Sequence, residues 1–250
     1  MILSAHQPVY LPGVIFFNKL ALSDGFVFLS DVTLARGRSW QTRNRIRQGN
    51  DAGFLSVPVK RKGKSDQKIF ETRIDSEQNW QHRHVASLRH AYGKRPYFTT
   101  YFDDLAAIIE RPWDYLSDLN RALICHLAEC FGLSPQWHDS RDFDVPDGKN
   151  ERLIALAQQT GATSYVSNVG SMTYVDEAAF TAAGIEHLWQ LFEHPTWDQG
   201  APFIENLSAV DLLFNAGPDS QALIRSCGTF RAERPELSSV DNEAASQMAS

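Results

Sequence analysis

The sequence has few cysteines and no long apolar run. Its three cysteines are Cys125, Cys130 and Cys227, and the first two lie in a helical pattern at a spacing that is not typical of metal ligands. The odd count, and a start that lacks both a basic region and a long apolar stretch, predict free thiols in the reducing cytoplasm. No stretch approaches about 18 consecutive apolar residues, so we expect no membrane span.

Three fingerprints of common enzyme classes are also missing from the sequence. There is no G-x-G-x-x-G, no P-loop and no G-x-S-x-G motif. These absences argue against a standard dinucleotide or nucleotide triphosphate site and against a nucleophile elbow. We therefore expect neither a cofactor nor a metal. A hydrophobic content of 43% in 250 residues is sufficient for one large domain with a sizeable core.

The first thirty residues have the pattern of a βαβ unit. An apolar run precedes a polar loop, a helical pattern follows, and Phe26 to Leu29 reads as a second strand. The loop carries His6, Gln7 and Tyr10 between strand and helix, which is where α/β proteins bind ligands. Its two prolines fix two φ angles. We therefore interpret the loop as a site; the simpler alternative is a stiff connection with a hydrogen-bonded histidine.

The segment from Arg36 to Lys68 carries an unusual excess of positive charge. It holds ten basic residues against two aspartates, which gives +8 in a chain whose net charge is −6. Within it, Arg43, Asn44 and Arg45 follow Trp40, and arginine is well suited to bidentate binding of phosphate. We expect the strand 54–59 to pair with 69–75, so that residues 36–75 form an inserted basic β-hairpin.

Helical periodicity replaces this pattern between residues 76 and 132. Trp80, His84, Leu88 and Tyr92 recur four apart, and a leucine stripe runs from Leu116 to Phe131. We interpret these stripes as core contacts of a helical layer. The histidines of this segment do not share one helix face, so they do not predict a metal cluster.

Strands and helices alternate again from residue 134, which favours a parallel sheet. The predicted fold class is α/β, with a mostly parallel Rossmann-like sheet in a single domain over residues 1–227. Residues 228–250 lose periodicity and are expected to be a disordered tail. If the strands near 2–5, 26–29, 136–140 and 164–168 are parallel, one edge gathers a set of polar side chains: His6, Asp31, Ser140, Ser167 and Asn168.

Several motifs in this order resemble the WbqC-like protein family. They are HQPVYLP, FFNK, SDGFVFLSD, WQTRNRI, FLSVPV, SYVSNVGSMTYVD and SAVDLLFNAG, and the resemblance runs from His6 to about Asn215. It implies a transferase of surface polysaccharide or natural-product biosynthesis that places glycine or another aminoacyl unit on an amino sugar. Two positions depart from the family pattern: Ser30 precedes Asp31 where two acids are expected, and Asn168 replaces a glycine.

These observations assign hypothetical roles within a transferase. His6 is the candidate general base, and Asp31 orients His6 or a substrate amino group. The candidate substrate contacts are Gln7, Tyr10, Lys19, Trp40, Arg43, Asn44, Arg45, Ser167, Asn168 and Tyr174. The expected partner is a small molecule that bears a phosphate or nucleotide, with aminoacyl-tRNA or a carrier protein as alternative donors.

The alternative function is a non-catalytic module in which the basic hairpin binds RNA or the acidic surface of a partner. RNA binding through such a hairpin weakens steeply with salt, which distinguishes the two hypotheses.

Overall fold

A six-stranded sheet forms the centre of the computed structural model, which describes residues 1–37, 39–61 and 66–236. The strands of the sheet are β1 (Ile2–His6), β2 (Gly25–Phe28), β5 (Gln136–Asp139), β6 (Ser164–Asn168), β7 (Glu186–Phe192) and β8 (Gly228–Arg231). Their order is β5-β2-β1-β6-β7-β8, and the first five strands in this order are mutually parallel. This confirms the predicted α/β class with a mostly parallel sheet.

Helices cover both faces of this sheet. They are α1 (Val14–Ala21), α2 (Trp80–Tyr92), α3 (Phe98–Glu110), α4 (Leu116–Cys130), α5 (Lys149–Gln159), α6 (Glu177–Ala182), α7 (Val210–Ala216) and α8 (Ser220–Ser226). Because side chains alternate along a strand, Phe26 and Phe28 pack into the larger core with α1 and α4, whereas Val27 packs into a smaller core with α5 and α6. The predicted helical layer corresponds to α2, α3 and α4, and its stripes are buried.

The basic segment forms a hairpin, but not with the predicted strands. Strand β3 (Arg43–Gln48) pairs with β4 (Asp51–Ser56) in an antiparallel arrangement. The two-residue connection begins with Gly49 at φ +66°, a conformation that glycine adopts without strain and that suits a tight hairpin. The predicted pairing of 54–59 with 69–75 is wrong, because Ile69–Glu71 is a 3₁₀ helix and a single bridge, Val59 to Ile74, joins the two segments.

Part of the predicted turn of that hairpin, residues 62–65, lies outside the described residues.

The predicted disordered tail begins with a strand. Strand β8 pairs antiparallel with β7, from Gly228 opposite Phe192 to Arg231 opposite Trp189. The prediction of disorder is therefore wrong for residues 228–231. Four residues are too few for a periodic signal, and they are ordered because β7 offers them an unpaired edge. The remainder of that prediction, from residue 237 onward, lies outside the described residues.

Two buried asparagines hold the loop between β1 and α1. Asn120 of α4 donates from Nδ2 to the carbonyls of Pro8 and Gln41, at 2.9 and 2.8 Å. Asn44 of β3 donates from Nδ2 to the carbonyls of Tyr10 and Leu11, at 3.2 and 2.8 Å. The loop runs through the protein interior, where an unpaired carbonyl is costly, so these amides make its buried path possible.

Replacement of Asn120 by alanine should destabilise the fold. The change removes both donors and leaves the carbonyls of Pro8 and Gln41 buried without these partners. We expect the free energy of unfolding in urea to fall by roughly 2–4 kcal/mol. The matched control is Asn50→Ala at the exposed hairpin turn, which should change it by less than about 0.5 kcal/mol. Equal effects of the two substitutions would contradict the role of Asn120.

Candidate functional site

The candidate site lies at the carboxyl ends of β1 and β6. Strand β1 has β2 on one side and β6 on the other, so the chain order reverses at β1. Open α/β sheets bind ligands at such a reversal, because the loops that follow the two strands diverge there and leave a crevice. In this protein the crevice receives His6 from the end of β1 and Asn168 from the end of β6.

Two adjoining cavities open at this position. The apolar cavity has a volume of about 130 Å³, and Phe16, Val14 and Trp40 are among the residues that line it. The cationic cavity has a volume of about 460 Å³ and is lined by the loops after β1, β2 and β6 and by the start of α5. Four residues line both cavities, and we call them the junction: His6, Gln7, Lys19 and Asn168.

His6 presents a hydrogen-bond acceptor at the junction. Its Nδ1 lies 2.8 Å from the carbonyl oxygen of Gln7. A carbonyl only accepts, so Nδ1 carries the proton and Nε2 of the neutral ring is an acceptor. Burial, together with the nearby charge of Lys19, lowers the pKa of His6 to about 3. The ring is therefore neutral near pH 7 in the unliganded protein, and it stands edge-on to Phe16.

Lys19 is a buried amine at the same junction. It belongs to α1, its residue is 3% exposed, and Nζ donates to the carbonyl oxygen of Ala5 at 3.0 Å. Within the described part of the chain it forms no salt bridge with a carboxylate. Burial lowers the pKa of Lys19 to about 8. Lys19 is one of the candidate substrate contacts, and the structure brings it to both cavities.

Asp31 lies on the wall of the cationic cavity, away from the ring of His6. Its carboxylate accepts hydrogen bonds from Arg152 and from the Ser140 hydroxyl. The expectation that Asp31 orients His6 is wrong, because the carbonyl of Gln7 already fixes Nδ1 of that ring. The alternative role of Asp31, in which it orients a substrate amino group, stays a prediction. Arg152 also reaches Asp147 at 3.8 Å, so both acidic residues of this wall are paired with the same guanidinium.

The loop after β6 supplies a polar wall to the cationic cavity. Ser167, Asn168 and Tyr174 all line this cavity. The hydroxyl of Tyr174 donates to Ser171 Oγ, which in turn donates to Asn168 Oδ1, each at 2.9 Å. The ammonium of Lys149 lies 4.5 Å from the centre of the Tyr174 ring. This chain of contacts orients the side chains that face the crevice.

The hairpin arginines do not line either cavity. Arg45 donates to the backbone carbonyls of Glu205 and Asn206, and its shortest such contact is 2.8 Å. Arg43 places its guanidinium 4.0 Å from the centre of the Phe54 ring, on the outer side of the hairpin. Neither of these two candidate substrate contacts therefore lies on a wall of the crevice.

Two further candidates are held by internal contacts. Tyr10 is fully buried, and its hydroxyl is 2.8 Å from Nδ1 of His84, so it belongs to the core and not to the crevice. Asn44 lines the apolar cavity, but both protons of its Nδ2 go to backbone carbonyls and its Oδ1 accepts from the Arg45 amide. Trp40 and Gln7, in contrast, do lie on cavity walls.

Sequence reasoning missed the cations of α5. Lys149 and Arg152 line the cationic cavity together with Lys68, which the sequence analysis had placed only in the basic segment. A signal was available, because α5 starts after β5 and its first turn therefore faces the same edge as the other strand ends. The charge that can bind an anion thus comes mainly from outside the predicted hairpin.

Fold and site together define a mostly parallel α/β protein with a crevice at the order reversal of its sheet. The chain belongs to the WbqC-like protein family, whose profile matches residues 7–222. It is 34% identical over 227 residues to the uncharacterized protein Rv1507c of Mycobacterium tuberculosis, an alignment that covers 88% of this chain and 96% of the relative. No solved structure matches the chain significantly.

The described residues contain neither a cluster of metal ligands nor a membrane-spanning helix. No group of three or more His, Cys, Asp or Glu is arranged there to hold a metal ion. None of the helices in the described ranges has the length and apolar character to cross a membrane.

The buried position of Lys19 predicts an unusual titration. Competitive labelling with acetic anhydride, read by mass spectrometry, should give a pKa of about 8 for Lys19, since burial disfavours its charged form. The peptide that contains the exposed Lys94 provides the internal reference. A pKa of about 10.4, typical of a solvated lysine, would show that the side chain of Lys19 is not buried.

Proposed function

We propose that the protein is a transferase that moves an acyl or aminoacyl group onto the amine of a phosphorylated or nucleotide-linked sugar or a similar metabolite. The observation that carries this proposal is the junction, where an apolar and a cationic cavity meet at the histidine and the buried lysine. Two adjoining compartments suit two substrates, and a transferase must hold a donor and an acceptor side by side.

The cationic cavity supports an anionic substrate. Lys68 and Lys149 form no salt bridge with a carboxylate in the described ranges, whereas Asp31 and Asp147 are both engaged by Arg152. An anion that enters gains charge-assisted hydrogen bonds without displacing a carboxylate from either lysine. A phosphate or diphosphate fits this cavity better than it fits the hairpin arginines.

A bound anion also helps His6 to act as a base. In the unliganded protein the pKa of His6 is about 3, which is too low for efficient proton transfer near neutrality. Negative charge in the adjoining cavity favours the protonated ring and raises this pKa. Binding of the anionic substrate therefore makes His6 a better base. The proton comes from the amine of that substrate, and Nε2 of His6 receives it.

The proposed identities of the substrates, an amino sugar as acceptor and a glycyl or other aminoacyl group as the donated unit, are based on the family resemblance. A role in surface polysaccharide or natural-product biosynthesis has the same origin. The alternative, a module that binds RNA or an acidic partner, has less support, because Arg45 and Arg47 donate to backbone carbonyls of the 199–206 loop region.

Removal of the cationic charge should weaken the binding of nucleotide sugars. We expect Lys68→Ala and Lys149→Ala each to lower affinity about tenfold, the usual cost of one charge-assisted hydrogen bond. Isothermal titration with uridine diphosphate sugars and with pyrophosphate measures this change. Lys94→Ala, an exposed lysine elsewhere, and Arg43→Ala serve as controls that should bind like the wild type. Loss of binding in Arg43→Ala alone would show that the hairpin, and not the cationic cavity, binds the phosphate.

Substitution of His6 by glutamine should abolish transfer and leave the fold intact. Glutamine retains polarity at the junction but cannot take up a proton, so the rate should fall about 10²- to 10⁴-fold. Product formation from aminoacyl donors and nucleotide-linked amino sugars is followed by mass spectrometry, and the thermal midpoint checks the fold. The exposed His82→Gln is the control. Unchanged turnover in His6→Gln excludes His6 as the base.

A further inference from the structure

The hydrogen-bond partners of the crevice residues within the protein show which of their donors remain for a ligand. Lys19 Nζ has three N–H donors and makes one hydrogen bond among the described residues, to Ala5. It is buried, lines both cavities, and has no carboxylate partner in the described ranges. The remaining donors of a buried ammonium require acceptors, which a ligand in the crevice supplies.

Asn168 presents its amide donors to the crevice. Ser171 donates its single hydroxyl proton to Asn168 Oδ1, and Tyr174 supplies the proton that Ser171 accepts. With Oδ1 turned toward this relay, the NH₂ group points away from it. That group makes no hydrogen bond within the described part of the chain, although Asn168 lines both cavities. The relay thus fixes Asn168 as a donor.

Ser167 is a donor by a similar argument. Its Oγ lies 2.9 Å from Nε2 of His187, a buried ring enclosed by Trp189 and Phe180. The other nitrogen, Nδ1, has no partner among the described residues. A buried N–H without a partner is rarer than an unsatisfied acceptor, so the proton belongs on Nε2. His187 then donates to Ser167, whose own hydroxyl proton remains for the cationic cavity.

The groups that the crevice therefore offers to a ligand include donors from Lys19, Asn168 and Ser167 and an acceptor, Nε2 of His6. We propose that the crevice is a carbonyl site, in which the three donors bind the oxygen of the transferred acyl group while His6 accepts a proton from the attacking amine. This inference rests on the proposed function, and it adds where in the crevice the transferred acyl group binds. Donors arranged in advance around a developing oxyanion lower the barrier of acyl transfer.

The reaction at this site conserves atoms and charge. The amine nitrogen bonds to the carbonyl carbon while the π electron pair moves to the oxygen that the three donors hold. When that pair returns, the bond from carbon to the donor's ester oxygen or thioester sulfur breaks. The amine proton passes through Nε2 of His6 to the leaving atom, and the products are an amide and an alcohol or thiol.

Methylphosphonate tests this site, because its tetrahedral oxyanions imitate the intermediate. Competitive acetylation of Lys19 is measured by mass spectrometry with and without the probe, and Lys94 is the reference. We expect methylphosphonate to slow the labelling of Lys19 in the wild type, and its concentration is chosen so that the slowing is about fivefold. At that concentration, the slowing in Asn168→Ala and in Ser167→Ala should be less than about twofold, since each removes a donor worth about tenfold in affinity.

Further variants separate the site from general damage. Asn50→Ala should keep full protection, and Tyr174→Phe, which breaks the relay but leaves Asn168 in place, should weaken it by a smaller factor. The proposal is overturned if methylphosphonate does not protect Lys19 in the wild type, or if protection survives in both donor variants. Unchanged Lys94 labelling and thermal midpoints confirm that the variants are folded.

A nucleotide sugar in the same assay tests the proposed function separately. It should protect Lys68 and Lys149, the cations of the larger cavity. Protection of Lys19 by methylphosphonate, without any effect of nucleotide sugars on Lys68 or Lys149, would establish the donor cluster as a site for tetrahedral oxyanions and refute the proposed acceptor. Protection by nucleotide sugars alone would support the acceptor and refute the carbonyl site.

Discussion

The crevice depends on hydrogen bonds from buried asparagine amides to the carbonyls of the first loop. A loop that runs through the interior would normally leave backbone oxygens unsatisfied. Asn44 satisfies two of them, and Asn120 satisfies that of Pro8 together with the carbonyl of Gln41. One of the carbonyls that Asn44 holds belongs to Leu11, whose φ of +42° lies in the left-handed region that a leucine rarely adopts. With this loop fixed, His6 and the start of α1 keep a constant position relative to the end of β6.

Charge is distributed unevenly around this fixed frame. Two arginines of the hairpin stabilise the protein internally: Arg45 donates to the carbonyl of Glu205, and the buried Arg47 donates to Gln199 and to the Pro202 carbonyl. Lys68 and Lys149 of the cationic cavity form no salt bridge among the described residues. The protein therefore separates structural cations from cations that are available to a ligand, a distinction that net charge alone does not reveal.

Prediction succeeded where the signal was local and periodic. The spacing from Trp80 to Tyr92 identified α2 because a helix repeats every 3.6 residues whatever surrounds it. The gathering of polar groups at one edge followed from parallel strands sharing a direction. The hairpin was misplaced because several short segments have strand-like composition, and their choice of partner depends on contacts between distant parts of the chain.

The sequence by itself determined the α/β class, the helices and the strand end that carries the crevice, because periodicity and strand direction are properties of neighbouring residues. Tertiary structure alone decided which polar side chains face a cavity. Tyr10, Asn44 and Arg45 look like ligand contacts in the sequence, yet each has an internal partner from a segment distant in the chain. Whether a donor is available to a ligand depends on those partners, and they are brought together only when the chain folds.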